Sequence, residues 1–174
     1  MAVNINGRPV ILLCRNDQSP AWMLFILAHE LGHIILGHVD NNAILIDERI
    51  SDIVQDDEER AANEFASELL NGSPNLRYQA GSRWLNAKKL ASIAKTRGGK
   101  EHVDPGHIAL NYGEQMDHMG VARAALKLLE MGQNAQEFVN NILNERLDWS
   151  AIPGDSAEFL SRVTKAEPNE NITG

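Results

Sequence analysis

Apolar and polar positions alternate differently in different parts of this chain, and each pattern predicts its own element. Near the start, two short runs rich in β-branched residues, 2–5 and 9–14, flank Asn6-Gly7. Asn-Gly between such runs is the strongest short hairpin signal, because both turn residues tolerate positive φ. Two antiparallel strands are expected there. Asn16-Asp17-Gln18-Ser19-Pro20 is a turn that doubles as a helix start, with Ser19 as N-cap and Pro20 at the first helical position. The chain then becomes densely apolar from 21 to 39, and a helix over 20–37 follows, with Gly37 suited to its end. Residues 43–46 read as a short edge strand. Over 56–70 the apolar residues Ala62, Phe65, Ala66, Leu69 and Leu70 recur at helical spacing, behind acids that suit a helix N-terminus. Asn71-Gly72-Ser73-Pro74 closes that helix. Further helices are predicted at 82–97, 105–112, 116–131, 135–149 and 156–163, separated by glycine and proline. The polar end, 167–174, reads as frayed. The expectation is a predominantly helical α+β protein, one domain over 1–166, with a core over 1–72 and a helical extension over 73–166.

Composition narrows this picture only modestly. A chain of 174 residues can bury a core without disulfides, and its one cysteine, Cys14, points to a reducing compartment. The start lacks a basic segment followed by an apolar run, so no signal peptide is expected. The apolar stretch 21–39 is interrupted by His29, Glu30, His33 and His38, which is unsuited to a membrane span. A soluble cytoplasmic protein is the expectation.

Net charge is −8, which argues against general nucleic-acid binding. The charge is uneven, however. Nine acids and two arginines lie between Asp47 and Glu68, whereas 72–100 holds no acid and seven bases: Arg77, Arg83, Lys88, Lys89, Lys95, Arg97 and Lys100. A solvated face is the ordinary reading of such a run, and an acidic partner is the minority one. Residues 90–112 have a loose helix-turn-helix rhythm, but the connection read at 98–104 is longer than such motifs use. Packing beneath a site is the expected role of these helices, ahead of DNA contact.

The densest chemistry is His29-Glu30-Leu31-Gly32-His33, the pattern H-E-x-x-H, set in the apolar helix. Residues four apart lie on one helix face, about 6 Å apart along the axis, so two imidazoles can converge on one ion. Glu30, roughly 100° further round, can instead serve as general base toward a water at the ion. Three ionisable groups in such apolar surroundings are costly without a partner, and a metal supplies one. Hydrolytic zinc sites use three protein ligands. A third histidine six residues after the second is excluded, because Val39 stands there, Leu36 replaces the expected glycine, and His38 misses the register by one. A glutamate from the second helix is the other route. Glu58 and Glu59 both fall on or beside its apolar face, while Glu64 and Glu68 point away; periodicity alone slightly favours Glu58.

The two segments together, 28–38 and 59–70, with the run Gly7-Arg8-Pro9-Val10-Ile11-Leu12 before them, resemble the ImmA/IrrE family of zinc metallopeptidases. The resemblance covers roughly 5–70. It implies a zincin-like fold, Zn²⁺ as cofactor, His29, His33 and Glu59 as metal ligands, and Glu30 as the catalytic base. It sets Asn63, one turn after Glu59, where it can steer a ligand by a hydrogen bond. It also implies a protein substrate, most often a helix-turn-helix transcriptional repressor. The chain departs from the family in having Asn71-Gly72 where Met-Pro often follows Leu-Leu; the DNA-binding domain that precedes the peptidase segment in some relatives, and the large C-terminal sensor domain of the radiation-response members, are not expected here. His102, His107, His118, Tyr78, Tyr112 and Arg83 are available as oxyanion donors, with none singled out. The competing reading is a non-catalytic module that grips a partner protein without cutting it.

Overall fold

The computed structural model describes residues 2–5, 7–13, 17–39, 44–45, 57–73, 78 and 85–164. Cys14, Arg77, Arg83, Trp84 and the end of the chain, 167–174, lie outside them. The N-terminal hairpin pairs β1 (Ala2–Ile5) with β2 (Arg8–Ile11), in a register that sets Ala2 opposite Ile11 and Ile5 opposite Arg8. Gly7 takes φ +79° in the turn, the conformation for which the Asn-Gly signal selects. β3 (Ile44–Leu45) adds to the other edge of β1, again antiparallel, giving the order β2-β1-β3. β1 is therefore the central strand, and Ala2 and Val3 are buried. The second strand ends at Ile11, short of the expected 14.

The long helices follow. α1 (Pro20–Ile35) packs on the sheet and against α2 (Asp57–Asn71). α3 (Ala87–Glu101), α4 (Pro105–Gln115) and α5 (Met119–Leu129) pack on one another, and α4 packs on α1. α3 departs from the expected 82–97 at both ends. It starts at Ala87 because Asn86 caps it, its side chain accepting from Lys89 N at 2.9 Å. It runs through Gly98-Gly99 because Gly98 serves close packing: a Cβ there would lie 2.5 Å from the Val103 carbonyl oxygen. The connection to α4 is thus 102–104, with His102 at φ 57°. This is a turn of helix-turn-helix length, contrary to the longer connection expected. α4 nonetheless buries Gly106 through Leu110, Tyr112 and Gly113, so it is a core helix and presents little surface to a DNA groove. α5 begins at Met119, three residues later than expected, because Met116 to His118 form the turn that ends α4, with Asp117 at φ 54°.

The apolar core lies among α3, α4 and α5, where Leu90, Ile108 and Tyr112 are almost fully buried. Met1–Gln133 is one compact unit, and the chain from Asn134 onward forms a second. The sequence reading drew no boundary there. The second unit contains α6 (Ala135–Arg146), a 3-10 turn at Trp149–Ala151, and α7 (Gly154–Thr164), with Asn140 Nδ2 donating to the Thr164 carbonyl. No helix among the described residues is long and apolar enough to cross a membrane.

Candidate metal centre

α1 carries the site, and its first turn is fastened from two sides. Ser19 accepts from Trp22 N at 3.2 Å, as an N-cap should. Glu130, just beyond α5, accepts from Ala21 N at 2.8 Å, so a carboxylate sits at the positive end of the helix. Burial holds the Glu130 carboxyl above its ordinary value, against the opposing hydrogen bonds from Ser19 and Ala21.

Further along, α1 buries polar side chains where a core helix ordinarily buries apolar ones. His29 is 8% exposed, Glu30 2% and His33 1%. α2 crosses here at close range. A Cβ on Gly32 would lie 3.1 Å from Phe65 Cδ1 and 3.2 Å from Ala62 Cα, and Ala62 and Ala66 are fully buried. Small residues on both helices let the backbones approach, and the approach carries Glu59 to the histidines. Glu59 lies 3.3 Å from His29 Nε2 through one carboxylate oxygen and 3.2 Å from His33 Nε2 through the other. The two Nε2 atoms are 3.1 Å apart. Among the described residues, His29, His33 and Glu59 form a group whose ligand atoms all lie within 4.8 Å of one another.

The donor set fits a divalent ion. A tetrahedral centre with bonds near 2.0–2.1 Å sets its ligand atoms about 3.3 Å apart, and the observed separations of 3.1, 3.2 and 3.3 Å are of that size. Two imidazole lone pairs and a carboxylate facing one another repel, and a cation between them removes the repulsion. The remaining ring nitrogens point outward to partners. His29 Nδ1 lies 3.0 Å from Asn63 Oδ1, and since an amide oxygen only accepts, His29 donates from Nδ1 and keeps the Nε2 lone pair free. His33 Nδ1 lies 3.1 Å from His38 Nδ1.

The structure thus brings His29, His33 and Glu59 together and keeps Glu30 buried on the same helix. Glu58, which periodicity slightly favoured, is exposed, as are Glu64 and Glu68. The residues considered as oxyanion donors have other surroundings. His102 is the exposed left-handed cap of α3; His118 is the N-cap residue of α5; Tyr78 is buried beneath the Arg97 guanidinium; Tyr112 is in the α3–α5 core; His107 is buried on α4. Of the basic run, Lys88, Lys89, Lys95 and Lys100 are exposed, while Arg97 pairs with Glu101 at 3.4 Å. His38 is the neighbour of the site that sequence reasoning set aside. Testing it as a ligand missed it; the helix-end signal at Gly37 could have found it, because a glycine cap folds the following residue back over the last turn.

A buried H-E-x-x-H helix crossed at close range by a glutamate-bearing helix defines a metallopeptidase-type centre. The peptidase M78 family, described as IrrE N-terminal-like domain, matches residues 2–92, and the chain belongs to it. The match takes in the sheet, both site helices and the start of α3. No curated protein and no solved structure matches the chain.

Proposed function

We propose that this chain is a zinc-dependent metalloendopeptidase that cuts a protein substrate. The observation that carries the reading is the convergence of His29 Nε2, His33 Nε2 and the Glu59 carboxylate within 3.1–3.3 Å, one residue from a buried glutamate. Two neutral imidazoles and one carboxylate favour zinc over harder ions, and leave the loaded site at net +1. When bound, the ion supplies Lewis acidity toward a water and the scissile carbonyl. Asn63 Oδ1 and His38 Nδ1 lie against the outward Nδ1 atoms of the two imidazoles. Glu30 takes the proton from the attacking water and delivers it to the leaving amine nitrogen. Its burial keeps bulk water from competing for that proton.

The substrate we propose is a regulatory protein of the helix-turn-helix repressor type, acted on in a reducing cytoplasm. The family resemblance supports this, and the single cysteine fits the compartment. Co-expression of the chain with such repressors, wild type against Glu30→Gln, tests both halves. Glu30→Gln is expected to lower cleavage by about 10²- to 10⁴-fold while zinc content by elemental analysis stays unchanged. Undiminished cleavage by Glu30→Gln would overturn the mechanism. Capture of a repressor without cleavage by either form would favour the binding module.

A further inference from the structure

The end of α1 does more than stop the helix. Leu36 closes it in helical conformation, and Gly37 follows at φ +77°. Gly37 N donates to the Ile34 carbonyl at 3.2 Å, and His38 N donates to the His33 carbonyl at 2.9 Å. This pair of bonds is the Schellman cap, which brings the residue after the glycine back over the residue five before it. An apolar contact between those two positions usually completes the cap. Here the two positions are His38 and His33, and the contact is Nδ1 to Nδ1 at 3.1 Å, with the rings at 68° and 5.2 Å between centroids. Residue 38 is therefore attached to a metal-ligand residue twice, once through the backbone and once through the side chain.

The chemistry of two neutral imidazoles then selects one arrangement. A neutral ring has one donor and one acceptor nitrogen. For His33 to present the Nε2 lone pair toward His29 and Glu59, its hydrogen must be on Nδ1. It then donates to His38 Nδ1, which must accept, so His38 carries its own hydrogen on Nε2. In the reverse arrangement, with His38 donating, His33 Nε2 is protonated and unable to ligate. His38 is half-buried and meets His33 at Nδ1, whereas Glu59 faces Nε2, so it holds the ring without competing for the ion.

We infer that His38 is a positioning residue for the metal centre: delivered by the Gly37 cap, it sets the tautomer and ring orientation of His33, as Asn63 does for His29 from the neighbouring helix. The inference rests on the metal-centre reading above. It assigns the helix cap a part in metal binding and makes the loop after α1, as well as α2, a determinant of affinity.

Zinc affinity, measured on the full chain by competition with a chromophoric chelator, tests this with three variants. His38→Ala removes the acceptor. His38→Asn restores an acceptor oxygen near the place of Nδ1. His38→Gln carries the same amide one methylene further out, where it cannot replace Nδ1. The expected result is about 10- to 100-fold weaker zinc binding for His38→Ala and for His38→Gln, with His38→Asn close to wild type. Metal-free melting temperatures report whether the fold is intact, and should alanine lower them, the Asn–Gln difference still decides, since a merely structural role for the ring does not distinguish two amides in this way. Wild-type affinity in His38→Ala, or equal losses in Asn and Gln, overturns the inference and leaves the metal centre standing. A wild type that takes up no zinc removes the metal centre, and this inference with it.

Discussion

Two helix packings in the first compact unit use the same device for different ends. Between α1 and α2, Gly32, Ala62 and Ala66 let the backbones close to where a Cβ on Gly32 would meet Ala62 Cα at 3.2 Å. Between α4 and α5, a Cβ on Gly113 would meet Ala122 Cβ at 2.5 Å, so here too the absence of a side chain permits a close approach. In the α4–α5 packing the close approach buries Ile108, Tyr112, Ala125 and Leu126, and dispersion and hydrophobic burial hold it together without help. In the α1–α2 packing it buries His29, Glu30 and His33, whose desolvation costs free energy, and it sets a carboxylate against two imidazoles. The α3–α5 group is thus an apolar scaffold that needs no ion to offset its burial, whereas the α1–α2 contact buries polar groups that a bound ion would compensate.

The largest way to sharpen that contrast is to damage the scaffold alone. Leu90 is 2% exposed in the α3–α5 core. Leu90→Ala is expected to cost about 2–5 kcal/mol, from lost burial plus the cavity left behind, while zinc affinity of the folded protein stays at the wild-type value. Denaturant melts and chelator competition on one sample check both halves. A stability loss under the same conditions that also carried off zinc binding would show that the two packings are one energetic unit.

A smaller effect is expected from the opposite direction. Gly32→Ala puts a methyl into the α1–α2 contact, against Phe65, which can move, and Ala62 backbone, which cannot move without its helix. Overpacking costs about 1–3 kcal/mol, offset by up to about 1 kcal/mol from replacing glycine inside a helix. The net loss of stability is therefore modest. The loss of zinc affinity is expected to be the clearer readout, because separating the helices by a few tenths of an ångström draws Glu59 away from both imidazoles. If Gly32→Ala binds zinc as wild type does, the close approach has nothing to do with the site.

How much of this was legible in the sequence depended on whether the signal was local. Ser19-Pro20, the density of apolar residues and the four-residue spacing of His29 and His33 are local, and they indicated where α1 starts and which face carries the ligands. The choice between Glu58 and Glu59 is not local. The two side chains are neighbours on α2, and the apolar face only brackets them; what separates them is where the imidazoles of α1 come to lie across Gly32, a tertiary fact that the family motif carried and helical periodicity did not. Gly98-Gly99 misled for a related reason: glycine reads as a helix breaker, yet Gly98 is helical because Val103 and Pro105 pack on it. His38 was legible in principle, since the cap that Gly37 signals has a fixed return path. Treating it only as a ligand obscured the more indirect role its position allows. The division after Gln133 had no comparable signal, because α5 and α6 are joined by an ordinary glycine-containing turn.

The smallest effect tests whether buried polarity without a ligand-type partner behaves differently from the buried polarity of the site. His107 is 4% exposed on α4, is not a member of the metal-ligand group, and its Nε2 has no hydrogen-bond partner among the described residues. Burial holds its imidazole below the ordinary value of 6.5, against the pull of Asp104. A depressed folded-state value means that folded and unfolded chains are equally neutral here above about 6.5. As pH falls below that, the unfolded chain takes up its proton first, and the stability contributed by the neutral ring is lost progressively until pH passes the folded-state value. Acidification through the imidazole range should therefore lower the denaturant midpoint of the wild type more steeply than that of His107→Met, in which a flexible apolar side chain fills the same space without titrating. With any metal stripped from both, the two proteins differ only at residue 107, so the difference between their profiles reports on that position. Parallel pH profiles for the two proteins would mean that His107 is protonated as easily in the folded chain as in the unfolded one, and that α4 tolerates a charge where the scaffold reading allows none.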